Sequence, residues 1–347
     1  MEVVAEKNTR VQSLAQEDKP EVPREYIQKT GNRPELLLSS SNENKSVPSV
    51  DLSGNNFREE LSQACREWGV FHVINHGVPD LKLLNDMRRI GRAFFEDLPM
   101  TEKLKYGCKA NAPASEGYGS RMLVASDDAV LDWRDYFDHH TYPLSRRDPS
   151  RWPNIPSNYR EIVSEYSDNM KTLAHRLMSL ISESLGLQSS CIEEVVGEVY
   201  QNITISYYPR CPQPDLTLGL QTHSDMGVVT LLIQDDVGGL QVLKDGQWIN
   251  VQTLPDAIVV LLGDQTEIIS NGKYRSVEHR AVTNNNRARL SIAAFHDPAK
   301  DAIIRPACEL ISDSLPARYY QVCYGDYVAA WYTKGPEGKR NIDALLL

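Results

Sequence analysis

The chain has no excess of positive charge, no long apolar run, no paired cysteine spacing and no internal repeat, and each lack removes a class of protein. Lysine and arginine number 37 against 47 aspartate and glutamate, for a net charge of −10. No basic run offsets that balance, so a nucleic-acid partner is not expected. No stretch approaches the roughly 18 apolar residues of a membrane span; "AIVVLLG" at 257–263 is among the longest. The opening "MEVVAEKNTRVQSLAQEDKP" is charged and lacks the apolar core of a secretion signal. Six cysteines, at 65, 108, 191, 211, 308 and 323, form no CxxC pair. They read as free thiols in a reducing compartment, so the expected location is cytoplasmic. No period of 20–50 residues is visible, which excludes a solenoid or propeller.

With 347 residues and 41% hydrophobic content, the chain can bury a substantial core as two domains or one large one. Residues 37–46, "LLSSSNENKS", read as a flexible connector and "VPSVDL" as a first strand. "FREELSQACREWG" spaces Phe57, Leu61, Ala64, Cys65 and Trp68 as a helix that Gly69 ends. "VFHVIN" predicts a strand, residues 80–98 a second helix, and the stripe from Met170 to Leu185 a third over 160–187. After Val199 the texture changes to short β-rich segments broken by Gly, Pro and Asp, including the hairpin signal "KDGQW". Such strands at regular spacing suggest a barrel or jelly roll, followed by a last helix near 312–332.

"HSDMGVVTLLIQDD" opens one of these segments. Residues two apart on a strand face the same way, so His223 and Asp225 can address one ion. A third ligand is needed from another strand, and His279 in "YRSVEHRAV" is the best placed. Two histidines and a carboxylate on one face of an ion form the facial triad of non-haem Fe(II) oxygenases. Arg289 and Ser291, in "ARLSIAAF", also share a face; a guanidinium can fork onto a carboxylate while a hydroxyl takes a further lone pair. Tyr208, before the Pro-rich turn that leads into the HSD strand, is placed to bond the same acid. The adjacent His139 and His140 point opposite ways. His72 and His76 read as structural, His175 as a helix-surface residue, and His296 as a candidate for the pocket rim.

The ordered set YYPxCPQPDLxLGLxxHSD, GLQVxxDGxW, NGxYxSVxHRAV and RxS, preceded by "EWGVFHVINHGV" and "FFEDLPMTEKLKY", resembles the plant 2-oxoglutarate- and Fe(II)-dependent dioxygenases over about residues 47–335. Within that family, "RVQSLAQ…VPREYIQ", "GYGSRM…LDWRDYF" and "FHDP" resemble the branch with flavonol synthase, anthocyanidin synthase and the jasmonate-induced oxygenases. It implies a mixed α and β fold: a double-stranded β-helix (jelly-roll) core with a helical N-terminal region and a C-terminal helix. The implied divisions are an N-terminal extension (1–46, partly flexible), a mainly helical region (47–198), the catalytic core (199–300) and a C-terminal helix and tail (301–347).

By position the resemblance makes His223, Asp225 and His279 ligands of Fe(II), and Arg289, Ser291 and Tyr208 the holders of 2-oxoglutarate. Dioxygen is consumed and ascorbate is a supporting reductant. The family often carries Asn two residues before the tyrosine; here Ser206 stands there. Tyr118, Thr204, Met226 and Phe295 fall at substrate-pocket positions. The flavonoid enzymes carry lysine, and the jasmonate oxygenases arginine, at the position of Thr204. The expected substrate is a neutral, ring-containing plant metabolite of medium size, hydroxylated or desaturated by a monomeric enzyme. Arg121 is a cation that would reverse that preference if it entered the pocket. The alternatives are oxidation of a carboxylated hormone such as a jasmonate and, in another class, a catalytically silent binding protein of the same fold.

Overall fold

A computed structural model describes residues 10–34, 45–78, 81–108, 116–120, 130–334 and 341–347. The expected connector at 37–46 lies almost wholly outside them, and so does Arg121. Alternation of apolar and polar residues after Val199 produces strands, and the Asp-Gly pair at 245–246 makes a tight hairpin with both residues at positive φ, 52° and 75°. The strands are β1 (Ser49–Asp51), β2 (Val70–Ile74), β3 (Gly117–Gly119), β4 (Asp135–Tyr142), β5 (Tyr200–Tyr208), β6 (Leu220–His223), β7 (Val229–Gln234), β8 (Leu240–Lys244), β9 (Gln247–Asn250), β10 (Ile258–Leu262), β11 (His279–Ala281) and β12 (Arg289–Asp297). Eight form one sheet in the order β1-β2-β10-β7-β12-β5-β4-β3, and four form a second in the order β6-β11-β8-β9.

The large sheet has two faces with different partners. Leu290, Ile292 and Ala294 of β12, Ile203 and Ile205 of β5, and Leu231 and Ile233 of β7 face a helical layer built on the long helix Tyr159–Ser184. The opposite face looks toward the small sheet, with Leu232, Val259 and Leu261 packed on Leu240, Val242 and Ile249. The fold is a jelly roll backed by helices, as expected. No helix among the described residues is long and apolar enough to cross a membrane, and all six cysteines are free.

Three local expectations change. Beyond the expected strands β1 and β2, the mainly helical region before residue 199 also supplies β3 and β4 to the large sheet. The last helix begins only at Tyr324 (Tyr324–Lys334); Pro316 and the short strand Val322–Cys323 occupy the stretch before it. Residues 10–34 of the N-terminal extension are packed, not loose. The side chain of Asp135 accepts from the backbone of Val11 and Gln12 at the start of helix Val11–Gln16, at 2.9 and 3.1 Å. Val11, Val22 and Tyr26 are buried with Trp133.

Candidate metal and co-substrate site

β6 and β11 are antiparallel with His223 directly opposite His279, so the two rings meet with centroids 4.2 Å apart. The chain turns after His223 and returns Asp225 to the same spot. Its Oδ1 lies 3.6 Å from each histidine Nε2, and one donor atom from each residue lies within 4.8 Å of the others. Outer contacts orient all three. His223 Nδ1 donates to the Gln221 carbonyl at 2.7 Å and His279 Nδ1 to the Val277 carbonyl at 3.2 Å. Each ring therefore turns an unprotonated Nε2 inward, the tautomer a metal ligand needs. Thr230 Oγ1 donates to Asp225 Oδ2 at 2.6 Å, leaving Oδ1 to face the imidazoles. Burial, then the neighbouring His279 ring, holds His223 well below the ordinary imidazole range, so it is neutral. Two imidazoles and one carboxylate, converging from one side, suit a divalent first-row ion with open positions.

Across the gap, β12 and β5 present their inner face. Arg289 pairs with Tyr208 and Ser291 with Ser206. The guanidinium lies over the Tyr208 ring at 4.8 Å. Its Nη1 donates to Ser291 at 3.2 Å and its Nη2 to Gln234 Oε1 at 3.1 Å, while Nε is buried with no partner among the described residues. A buried, incompletely satisfied guanidinium calls for an anion. Two glycines make room for this pair. A Cβ on Gly219 would sit 2.5 Å from Tyr208 Cδ1, and one on Gly239 (φ +107°) 3.3 Å from Arg289 Cδ. Burial would raise the Tyr208 hydroxyl, yet the Arg289 and Arg134 charges bring it below its ordinary value.

Beyond Arg289 and Ser291 the inner face continues through Ala293, Phe295 and Asp297 of β12 and Thr204 of β5. Phe295 is in register with Thr230, so its ring stands beside the residue that holds Asp225. Met226 follows Asp225 directly and is half-buried. Tyr118 is elsewhere: β3 pairs with β4 so that Tyr118 faces Phe137, which faces Ile205. That register puts it on the helical side, fully buried against Phe94 and Phe95 and donating to Asp135 at 3.0 Å. The pocket role expected for Tyr118 is therefore withdrawn. His296 also faces the helical side. It accepts from Gln201 at 3.0 Å, and burial drives its pKa down to about 3, so it is not at the rim. His139 is buried between the Ile203 carbonyl and Tyr159.

Two carboxylates escaped the sequence reading. Asp138 lies opposite Thr204 and accepts from its hydroxyl at 2.8 Å; Asp297 ends the inner row of β12. Burial, the largest cause in each, holds both up to about 7, and the Asp297 charge adds to the shift of Asp138. Arg146 opposes both shifts while bonding the Tyr142 carbonyl and Asn202. The alternation in "DYFDHHTY" held the signal for Asp138, but which face turns inward depends on pairing with β5.

Known proteins resemble this chain over nearly its whole length. The family model "2OG-Fe(II) oxygenase superfamily" matches residues 199–298, and "non-haem dioxygenase in morphine synthesis N-terminal" matches residues 47–155. Jasmonate-induced oxygenase 4 of Arabidopsis thaliana is 40% identical over 346 residues, covering 97% of this chain and 96% of its own. Leucoanthocyanidin dioxygenase of Malus domestica is 37% identical over 341 residues, covering 92% and 94%. The crystal structure of JOX2 in complex with 2OG, Fe and JA superposes with a TM-score of 0.90 at 37% identity, covering 99% of this chain and 98% of that one.

Proposed function

Since the chain belongs to the 2OG-Fe(II) oxygenase superfamily and is a dioxygenase using iron and 2-oxoglutarate, we propose that it oxidises a neutral, ring-containing metabolite of medium size. In this reading His223, Asp225 and His279 hold Fe(II), and Arg289, Ser291 and Tyr208 receive the far carboxylate of 2-oxoglutarate. The unsatisfied Arg289 Nε and the two imidazoles gathered with Asp225 fit those two groups. When bound, iron and 2-oxoglutarate supply, with O2, decarboxylation to succinate and CO2 coupled to attack on a C–H bond. The chain's own contribution is placement. Gln221 and Val277 lock the imidazole rings, Thr230 locks the carboxylate, and the ring of Phe295 offers a stacking surface beside them.

The observation that carries the substrate class is the acid pair on the inner face. A carboxylate placed about 5 Å from one ionised Asp would meet roughly 3 kcal/mol of repulsion at an effective dielectric near 20. Protonating Asp138 and Asp297 relieves that repulsion only by drawing protons at neutral pH. Arg146 offsets part of it but already faces both acids. A ring stacked on Phe295 gains about 0.5–1.5 kcal/mol beyond area burial. The second reading, oxidation of a carboxylated molecule, is favoured by the JA in the JOX2 structure.

Matched pairs decide between them: a free acid and its methyl ester, with phenolic and terpenoid neutrals alongside. Products are read by mass for a gain of one oxygen or a loss of two hydrogens, together with succinate. We expect the ester and the neutrals to be preferred; clear preference for the free acid refutes the reading.

A further inference from the structure

Arg134 immediately precedes β4 and continues its alternation, so it shares the inner face with Tyr136 and Asp138. Asp135 pairs with Tyr207, which sets Arg134 beside Tyr208, itself opposite Arg289. The tyrosine thus stands between two guanidinium groups, one from the jelly roll and one from the segment that precedes it. Arg134 is 6% exposed. Its Nη1 donates to Ser206 Oγ at 3.2 Å. Its Nε lies 4.0 Å from Asp132 Oδ2, too far for a hydrogen bond.

Asp132 meets the Arg134 charge only at the outer limit of an ion pair, through Oδ2, while its Oδ1 accepts from the backbone and side-chain nitrogens of Gln221 at 3.0 and 3.2 Å. Among the described residues Nη2 has no acceptor. A guanidinium removed from water this far is strongly disfavoured without a close anion. Asp132 ties this corner to β6 two residues before His223. The guanidinium, over the Tyr136 ring at 5.4 Å, thus stands at Ser206 on the same inner face as Tyr208 and Arg289, with one distant carboxylate for partner.

We propose that Arg134 is a second anion-binding group of the co-substrate site, receiving the carboxylate at the 2-oxo end of 2-oxoglutarate while Arg289 receives the far carboxylate. This rests on the placement of 2-oxoglutarate against Tyr208 and Arg289 given above. The position has a signed consequence. Without 2-oxoglutarate, the Arg134 charge repels the metal ion; with it, the same charge holds the ligand's near end. Removing Arg134 should therefore move the two affinities in opposite directions, whereas loss of a merely structural residue would weaken both.

The test uses the full chain loaded with Mn(II), which binds without turnover, and calorimetric titration with 2-oxoglutarate and with 2-oxobutyrate, which has the near end but no far carboxylate. For Arg134→Gln we expect both ligands to weaken at least about tenfold, or about 1.4 kcal/mol, with Mn(II) affinity in their absence unchanged or higher. Arg289→Gln should weaken 2-oxoglutarate and leave 2-oxobutyrate as in the unmodified protein. Arg134→Lys keeps the charge and should recover most of the affinity, which holds the test open if Arg134→Gln does not fold. Ligand affinities within twofold of the unmodified protein in Arg134→Gln, or in Arg134→Ala if Gln is not folded, overturn the proposal. A loss confined to 2-oxoglutarate also overturns it, by placing Arg134 at the far end. If Arg289→Gln leaves 2-oxoglutarate binding intact, the placement of the co-substrate itself falls, and this assignment with it.

Discussion

Gly219 touches no ligand in the proposed site, yet Gly219→Ala should cripple use of 2-oxoglutarate. Its backbone lies in a region open to any residue, so the added methyl introduces no strain of its own. The new Cβ would lie 2.5 Å from Tyr208 Cδ1 and 2.8 Å from Cε1, against an ordinary carbon contact of about 3.5–4.0 Å. The ring must retreat by about 1 Å, and it has little room: Tyr208 is 4% exposed and lies beneath Arg289. A displacement of that size at a positioning group costs about a hundredfold in efficiency, and overpacking adds about 1–3 kcal/mol of instability. We expect KM for 2-oxoglutarate to rise by about ten- to a hundredfold, with a smaller change in KM for the organic substrate. Succinate formation at varied 2-oxoglutarate measures it, with circular dichroism as the folding control. On a Tyr208→Ala background the ring is gone, so Gly219→Ala should add almost nothing. An unchanged KM for 2-oxoglutarate in the single variant, or full additivity in the double, refutes the reasoning.

His279→Ala should abolish turnover and leave the circular-dichroism spectrum intact; near-normal activity would sink the triad. Thr230→Val removes the donor to Asp225 Oδ2 and should lower Mn(II) affinity by about ten- to a hundredfold, so equal metal binding would show that the carboxylate needs no second anchor. Asp138→Asn bears on pH. Burial holds the folded carboxyl up to about 7, above an unfolded value of about 3.9, so the folded state binds the proton more tightly and stability from this site falls as pH rises across that window. The Asn variant cannot ionise and still accepts from Thr204. It should therefore melt higher than the unmodified protein at pH 8 and gain nothing at pH 4, and a gain that is the same at both would contradict the assignment.

The parts legible in the sequence were those governed by local period. Arg289 with Ser291 is a two-residue spacing that β12 converts directly into a shared face; His223 and Asp225 also meet, but β6 ends at His223 and a turn, not a strand, returns the carboxylate. The third ligand needed a partner strand; the strand-like segment around His279 offered it, and the resemblance implied the same residue. What stayed hidden was set by pairing across the chain. Tyr118 sits on a three-residue strand whose facing is dictated by its register with Phe137. Asp138 turns inward because β4 aligns with β5 at Thr204. The order of residues 10–34 depends on Asp135, more than a hundred residues away. Arg134 drew no attention because its partners, Ser206 and Asp132, lie on segments that only the folded sheet brings together.

The two-residue alternation of β12 and β5 also has an evolutionary reach. Leu290, Ile292, Ala294, Ile203 and Ile205 belong to the helical core, while Ala293, Phe295, Asp297 and Thr204 face the opening. If the opening receives the substrate as proposed, substitutions at the second set would alter what it accepts, and substitutions at the first whether the chain folds. A lineage can therefore trade one substrate for another by changing every other residue along two strands. The scaffold keeps its stability through such a change, so new specificities are within reach of few mutations and need no rebuilding of the iron site.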